Sequence, residues 1–384
     1  MNENRRWWVT IGVLMIGALL VVSQLYLTVP LLPGVAERYG VALSTASWVG
    51  GGFGLAFAVG NLVLGTVADR FDRRHLMAVG AMAGAVACLA AGAAGSFEVL
   101  LVVRVVQGFV VAAFPTVALA HVAAAVPPDR RAIGVTAVSS CFLLAGLVGQ
   151  GYALSVDRAL GWQWVFWLMA PLLAATAIAV LRLPETARTT TPRSFATLLG
   201  NRPLLAAYAG GVTLLLTFVG MYTAFNAVVA QRYGITEAGT LLLLRLPGLP
   251  GILLGALAGP MITRYGPYRV TMTALAAGAV GLAVEALAPT LPLLLLGSAV
   301  YVAGLAVAVP ALVTIVGLAG GEARGAALAG HGFVVGLGGG LGPVVAAVLA
   351  PAGFTTICLL LGAILAAALT IIAVGPRPRI PVAA

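Results

Sequence analysis

Arg104, Gln107 and Gly108 stand at i, i+3 and i+4, so on a helix they share one face. An apolar run opening near residue 99 puts the guanidinium roughly 7–8 Å along a helix that rises 1.5 Å per residue. A guanidinium inside hydrocarbon is costly and needs partners, which makes Arg104 a candidate for binding or charge handling. The plainer alternatives are that it reaches out to lipid headgroups or pairs with Glu98. Arg245 is the other charge inside an apolar run with a break beside it, because Pro247, Gly248, Pro250 and Gly251 follow and interrupt a helix. Broken helices beside a cavity form binding sites, while a side chain turned outward to Glu237 would be merely interfacial. Phe218, Tyr222, Phe225 and Asn226 fall at i, i+4, i+7 and i+8, one helical face. That stripe either walls a lipophilic solute or packs a core. Gln24, Tyr26 and Asn61 are further cavity candidates with the same two readings.

These residue types offer recognition and charge rather than catalysis. No metal-ligand cluster, paired nucleophile and base, or phosphate-binding loop occurs, so the sequence predicts neither an enzyme nor a cofactor, and ATP is not its energy source. Proton carriers are scarce as well. All eleven acids fall in loops or within a few residues of the ends of apolar runs, with Glu285 and Glu98 nearest to embedded. His121 and His331 are titratable near run ends, where they are expected to be interfacial.

The elements that position these side chains follow from composition. Apolar residues make up 61% of the 384 and charged residues 8%, too few charges for a water-soluble surface. Twelve apolar runs, each of membrane-spanning length, lie near 8–29, 46–66, 77–95, 99–121, 132–154, 162–182, 203–228, 239–262, 270–287, 292–317, 326–350 and 355–375. The expected fold is an all-α integral membrane protein of twelve transmembrane helices. The net charge of +10 comes from 21 arginines and no lysine, scattered singly, which reports orientation and not a nucleic-acid groove. With the termini inside, sixteen arginines fall on the cytoplasmic side and three outside. Trp7, Trp8, Trp48 and the Trp162/Trp164/Trp167 cluster sit at run ends as interfacial anchors. Arg5-Arg6 and the run behind them read as an uncleaved first span. The three cysteines lie in apolar runs and suggest no disulfides.

The halves repeat. A shift of 194 takes Ala36, Arg38, Tyr39 and Gly40 to Ala230, Arg232, Tyr233 and Gly234, Gly65 to Gly259, and Arg70 to Arg264. A shift of 193 takes Arg131 to Arg324, Gly146 to Gly339 and Gly149 to Gly342. Residues 1–183 and 203–384 are thus expected as two six-helix bundles joined by a cytoplasmic linker at 184–202. A parallel repeat of this kind is a transporter signature, with solute handled where the halves meet.

Three motifs sharpen this. Gly65-Thr-Val-Ala-Asp69-Arg70-Phe-Asp72-Arg73-Arg74 follows the second run, Arg104-Val-Val-Gln107-Gly108 lies in the fourth, and Arg182-Leu-Pro184-Glu185-Thr186 closes the sixth. Together they resemble the major facilitator superfamily from about residue 8 to 376, leaning towards its twelve-span drug and metabolite efflux branch. Gly65, Asp69, Arg70, Arg73 and Arg74 would form a gating loop, since glycine permits close approach and an Asp can cap a helix N-terminus. The resemblance implies that Asp69 meets the start of the eleventh span and that Arg73 pairs with an acid, for which Asp129 is the candidate; a merely solvated loop is the plainer reading. Asp72 stands where the family usually has glycine, so a left-handed turn there is the expectation. Gly146, Gly149, Gly339, Gly342 and Pro343 belong to glycine runs that let helices pack closely and bend. The first run resembles an antiporter pattern, with Gln150 in place of its proline.

The resemblance implies a monomeric secondary transporter in the inner or plasma membrane. It would export a small lipophilic molecule by alternating access, with protons as coupling ion and the lipid bilayer and solute as partners. Export or facilitated movement of a polar metabolite stays open, as does a non-transporting receptor or scaffold.

Overall fold

The computed structural model describes residues 3–67, 71–127, 130–186 and 200–376. Asp69, Arg70, Asp129 and the middle of the linker lie outside the described residues. Every regular element among those described is helical. The first half runs α1 (Glu3–Tyr26), α2 (Leu32–Tyr39), α3 (Leu43–Ala46), α4 (Trp48–Val67), α5 (Arg73–Gly92), α6 (Phe97–Val111), α7 (Pro115–Ala125), α8 (Arg131–Leu160) and α9 (Trp162–Leu181). The second runs α10 (Arg202–Tyr233), α11 (Ala238–Leu243), α12 (Leu249–Leu254), α13 (Ala258–Tyr265), α14 (Pro267–Leu287), α15 (Leu291–Gly320), α16 (Arg324–Leu349) and α17 (Phe354–Val374).

Among the described residues, ten helical stretches are long and apolar enough to cross a bilayer, and the pair Ala238–Leu254 and Ala258–Tyr265, bent by 42°, makes an eleventh. The longest stretch, Leu291–Ala352, contains both α15 and α16, divided by a 3-10 turn at Gly321–Ala323. With 30 and 26 residues, each of these helices exceeds the roughly 30 Å hydrocarbon thickness at 1.5 Å per residue. Large aliphatic side chains such as Val86, Leu253 and Val348 are exposed. Apolar surface on that scale suits lipid and not water.

The chain divides into two compact units. One comprises Met1–Pro127, Ala137–Thr190 and Glu237–Leu243, the other Pro128–Thr136, Thr191–Thr236 and Leu244–Ala384. In the first, the Asp72 carboxylate caps α5, accepting from the Arg74 backbone N–H at 2.8 Å, and its backbone is extended (φ −65°, ψ 121°). The left-handed turn expected at this residue does not form, because a capping side chain needs extended backbone to reach back to the helix. Hydrogen bonds from Arg74 hold the Asp72 carboxyl well below the usual carboxylate range. In the second unit Asn201 Oδ1 accepts from the Leu204 N–H at 3.1 Å, and its Nδ2 donates to the Ala319 carbonyl at 2.8 Å, tying the start of α10 to the end of α15.

Two of the expected spans are broken. The fourth parts into α6 and α7 at residues 112–114, because Pro115 offers no N–H to continue the ladder; the sequence reading had it continuous. The eighth breaks into α11, α12 and α13 around Pro247 and Pro250, as its Pro/Gly content predicts. Gly40 and Gly234, related by the repeat, end α2 and α10 with φ of 65° and 67°. A side chain in that conformation costs roughly 1–2 kcal/mol.

Repeat-related glycines also set the closest packing. A Cβ on Gly149 would lie 2.9 Å from the Ser23 carbonyl oxygen, and one on Gly342 2.8 Å from that of Leu216. The shift of 193 that relates the two glycines relates Ser23 to Leu216 as well, so each unit repeats the same contact. Gly146 and Gly339 join these seams, against the Tyr26 ring and Leu215 respectively, and Pro343 continues α16. Gly342→Ala should destabilise the protein by about 1–3 kcal/mol through overpacking. Gly12→Ala in α1, with nothing within 4 Å of the added methyl, should be neutral or slightly stabilising. Thermal unfolding of both variants in detergent checks the contrast.

Candidate functional site

The first unit is organised around a charge. Arg104 is completely buried. Its Nη1 donates to Gln107 Oε1 at 2.6 Å, its Nη2 to the Gln24 carbonyl at 2.7 Å and its Nε to the Val49 carbonyl at 3.4 Å. The guanidinium lies 4.1 Å from the centroid of the Phe53 ring and 5.7 Å from that of Phe166. Five helices supply this surround: α1, α4, α6 and α9 directly, and α5 through Gln107. Gln107 Nε2 lies 3.2 Å from Gln24 Oε1, 3.0 Å from Cys88 Sγ and 3.4 Å from the Gly84 carbonyl. The helical spacing that puts Arg104 and Gln107 on one face lets the glutamine orient the arginine and link it to α1 and α5.

Magnitudes show why the charge is tolerated. Placing an arginine at the centre of a membrane helix costs roughly 2.5–3.5 kcal/mol on insertion scales. A hydrogen bond to a charged group contributes about 1.5–3 kcal/mol, and a desolvated cation–π contact about 2 kcal/mol. Two short bonds and one stacked ring therefore offset the cost. Glu98 is not a partner, nor does the side chain reach a headgroup; α6 turns it inward onto carbonyls that the break after Tyr26 and the start of α4 bring within reach.

The second unit carries a corresponding cluster. Tyr301 donates to Thr217 Oγ1 at 2.9 Å, both fully buried. A shift of 194 relates Gln107 to Tyr301 and Arg104 to Ser298, and a shift of 193 relates Gln24 to Thr217. The bond between α10 and α15 thus repeats the one between α1 and α6, with hydroxyls in place of amides and a serine in place of the arginine. The Tyr222 and Ser298 side chains are hydrogen-bonded. Arg245 sits 4.5 Å over the Tyr222 ring and donates to Asn226 Oδ1 at 3.4 Å. Glu237 pairs with Arg158 and accepts from Thr240 at 2.9 Å. These contacts, Thr240 first, hold the Glu237 carboxyl below its usual range. A hollow of about 330 Å³ lies beside that ion pair, lined by Gly151, Leu154, Ser155, Thr240 and Leu242.

The aromatic stripe is largely packing. Phe218 and Tyr222 meet edge to face at 5.1 Å, Tyr222 and Phe225 at 6.0 Å, and Phe225 is completely buried. Of the four, Tyr222 and Asn226 are drawn into contact with Arg245. Asn61 is buried, donating to the Phe57 carbonyl at 2.9 Å within its own helix, and Tyr26 is half-buried at the end of α1.

The sequence profile of the Major Facilitator Superfamily matches residues 14–254 and 210–383. The chain belongs to this superfamily. It is similar to the puromycin resistance protein pur8 of Streptomyces alboniger, 32% identical over 49% of this chain and 37% of that one. It is also similar to the tetracenomycin C resistance and export protein of Streptomyces glaucescens, 28% identical over 50% of this chain and 36% of that one. These matches thus span less than two fifths of each relative's length. In fold the chain resembles the human organic anion transporter MFSD10 (TETRAN), with a TM-score of 0.78 at 19% identity, covering 97% of this chain and 100% of that one.

Among the described residues, the superfamily's loop signature contributes Gly65, Arg73 and Arg74. Gly65 is buried in α4. Arg74 bonds to Asp72 at 2.7 Å, to Glu185 at 3.4 Å and to the Leu183 carbonyl at 3.1 Å. Arg73 donates to Thr186 at 3.4 Å. The arginines of the second loop thus hold the chain that leaves α9, a contact the sequence reading missed although it singled out both motifs. Four further residues take surroundings that the sequence did not signal. Cys88 enters the Arg104 network with only an ordinary apolar run to signal it. His121 and His331, expected at the interface, are buried, because α7 and α16 turn them inward. Glu285, read from the sequence as one of the acids nearest to embedded, lies two residues from the end of α14 and is completely buried.

Removing the guanidinium should orphan its acceptors. Arg104→Ala is expected to cost about 1–3 kcal/mol for each buried partner left unmatched. Arg104→Lys should recover only part, since a point charge cannot span the Gln24 carbonyl and Gln107 together. Thermal unfolding in detergent, set against Arg38→Ala at an exposed position, measures the difference.

Proposed function

We propose that this chain is a secondary transporter that exports small lipophilic molecules by alternating access, driven by proton antiport. It would lie in the inner or plasma membrane as a monomer with both termini cytoplasmic. Its twelve spans would form six-helix bundles at 1–183 and 203–384, joined by the 184–202 linker; the count of twelve takes α15 and α16 as separate spans. The observation that carries the reading is Arg104, a buried guanidinium bonded only to neutral groups. A positive charge without a bound carboxylate stays available to a transient anion, whether a deprotonated group or an acidic or carbonyl group on the solute. Such a centre favours neutral or anionic solutes over cations. Resistance and export, the roles for which the two Streptomyces relatives are named, support a drug-like solute.

The test is transport in proteoliposomes with an imposed pH gradient, using puromycin and tetracenomycin C as probes. The gradient should accelerate movement of at least one probe severalfold, and Arg104→Ala should abolish that response while Arg104→Lys retains part of it. Transport indifferent to the gradient, or a stable Arg104→Ala protein with full transport, overturns the reading.

The gating loop enters the same proposal. Asp69, capping a helix on the cytoplasmic side, would hold that face closed, with Gly65 and Arg70 setting its approach and Asp129 receiving a loop arginine. Asp69→Asn should then lower turnover severalfold while leaving the half-saturating probe concentration nearly unchanged. Spin-label distances across the cytoplasmic face should broaden in the variant.

A further inference from the structure

Glu285 is the one acid among the described residues that is buried. It lies two residues from the end of α14, with no exposed surface. One carboxyl oxygen, Oε1, has no hydrogen-bond partner, and the other is approached only by the Cys358 thiol of α17 at 4.0 Å. From α15, Gly297 leaves the slot in which the side chain lies; a Cβ there would stand 2.8 Å from Glu285 Cγ. The neighbouring polar groups are already engaged: Tyr301 with Thr217, Tyr222 with Ser298, and Arg245 with the Tyr222 ring and Asn226.

A carboxylate ion in this slot would be desolvated, would lack a bonded cation and would leave one oxygen unmatched, the costliest way to bury a charge. In the packed arrangement the group is therefore the neutral acid. It is nevertheless close to a helix end. The Thr355 hydroxyl of α17 donates to the Ala286 carbonyl at 3.0 Å, and that contact lies over the same end. Parting α14 from α15 and α17 there would admit water, in which a glutamate titrates near 4.3 and releases its proton at neutral pH.

We propose that Glu285 is a proton-carrying residue of the second unit, protonated when the ends of α14, α15 and α17 are packed and ionised when they part. On opening, the O–H bond breaks, its electron pair stays on the carboxylate and the proton passes to water; on closing, the carboxylate takes a proton from water before it is buried again. The proposal rests on the proton-antiport reading and gives it a titratable atom that Arg104, always charged, does not provide.

Infrared pH titration of the purified full chain in nanodiscs reads the protonation without reference to transport. At neutral pH the wild type should show the carbonyl stretch of a protonated carboxylic acid, and Glu285→Gln, its neutral isostere, should lack it. In proteoliposomes Glu285→Gln should keep puromycin counterflow, which needs no gradient, while accumulation driven by a pH gradient falls to the level of protein-free vesicles. An identical carbonyl band in wild type and variant overturns the proposal. So does a variant that loses the band but keeps gradient-driven accumulation, which makes Glu285 a structural acid. A wild type whose transport ignores the gradient overturns the antiport reading itself, a separate result. Should Glu285→Gln not fold, Glu285→Asp serves, because a shorter acid in the same slot must shift the titration midpoint of the band; an unchanged midpoint also counts against Glu285.

Discussion

A guanidinium cannot be discharged under ordinary conditions, so a chain that buries one must build partners around it. Arg104 imposes that constraint on the first unit. Its Nη atoms reach the Gln24 carbonyl and Gln107 Oε1, and its face lies on Phe53, so α1, α4 and α6 must all stand at fixed distances from one point. Gln107 extends the requirement to α5 through Gly84 and Cys88. This network specifies a single arrangement, since each misplaced helix would leave a buried polar group unmatched.

Close packing by small residues complements that network. Water drives no association between apolar helices in lipid, so contact depends on how nearly backbones approach. Gly149 against Ser23 and Gly342 against Leu216 repeat one solution in both units. The polar cores diverge on this shared frame. Hydroxyls at Thr217 and Tyr301 replace amides, and Ser298 occupies the position equivalent to Arg104. Duplication thus preserved the backbone contacts while the two centres took different chemistry: one holds a permanent positive charge, the other a carboxyl group whose charge depends on whether its surroundings are open or closed.

Broken helices place the remaining groups. The interruption at 112–114 lets α7 leave the line of α6, and the breaks through 245–257 hold Arg245 beside Tyr222 and Asn226 on α10. At the start of α5, Asp72 caps the helix and orients Arg74 towards Glu185 and the Leu183 carbonyl, so one acidic residue fixes both a helix end and the path of the chain beyond α9.

The sequence by itself determined the helical membrane class, the approximate bounds of the spans, the half-repeat and the superfamily. These depend on composition, on runs of about 20 apolar residues and on motifs local in the chain, all of which can be read without knowing what touches what. It also placed Arg104 and Gln107 on one face, because three residues of helix suffice for that. Tertiary structure alone decided the partners. Gln24 is 80 residues from Arg104, Thr217 is 84 from Tyr301 and Cys358 is 73 from Glu285, and no spacing rule spans such distances. The same limit applies to Glu285. Its position near a span end is legible in the sequence, but exposure is set by the neighbouring helices, and α15 and α17 close over its side chain although Leu287 beyond it is exposed.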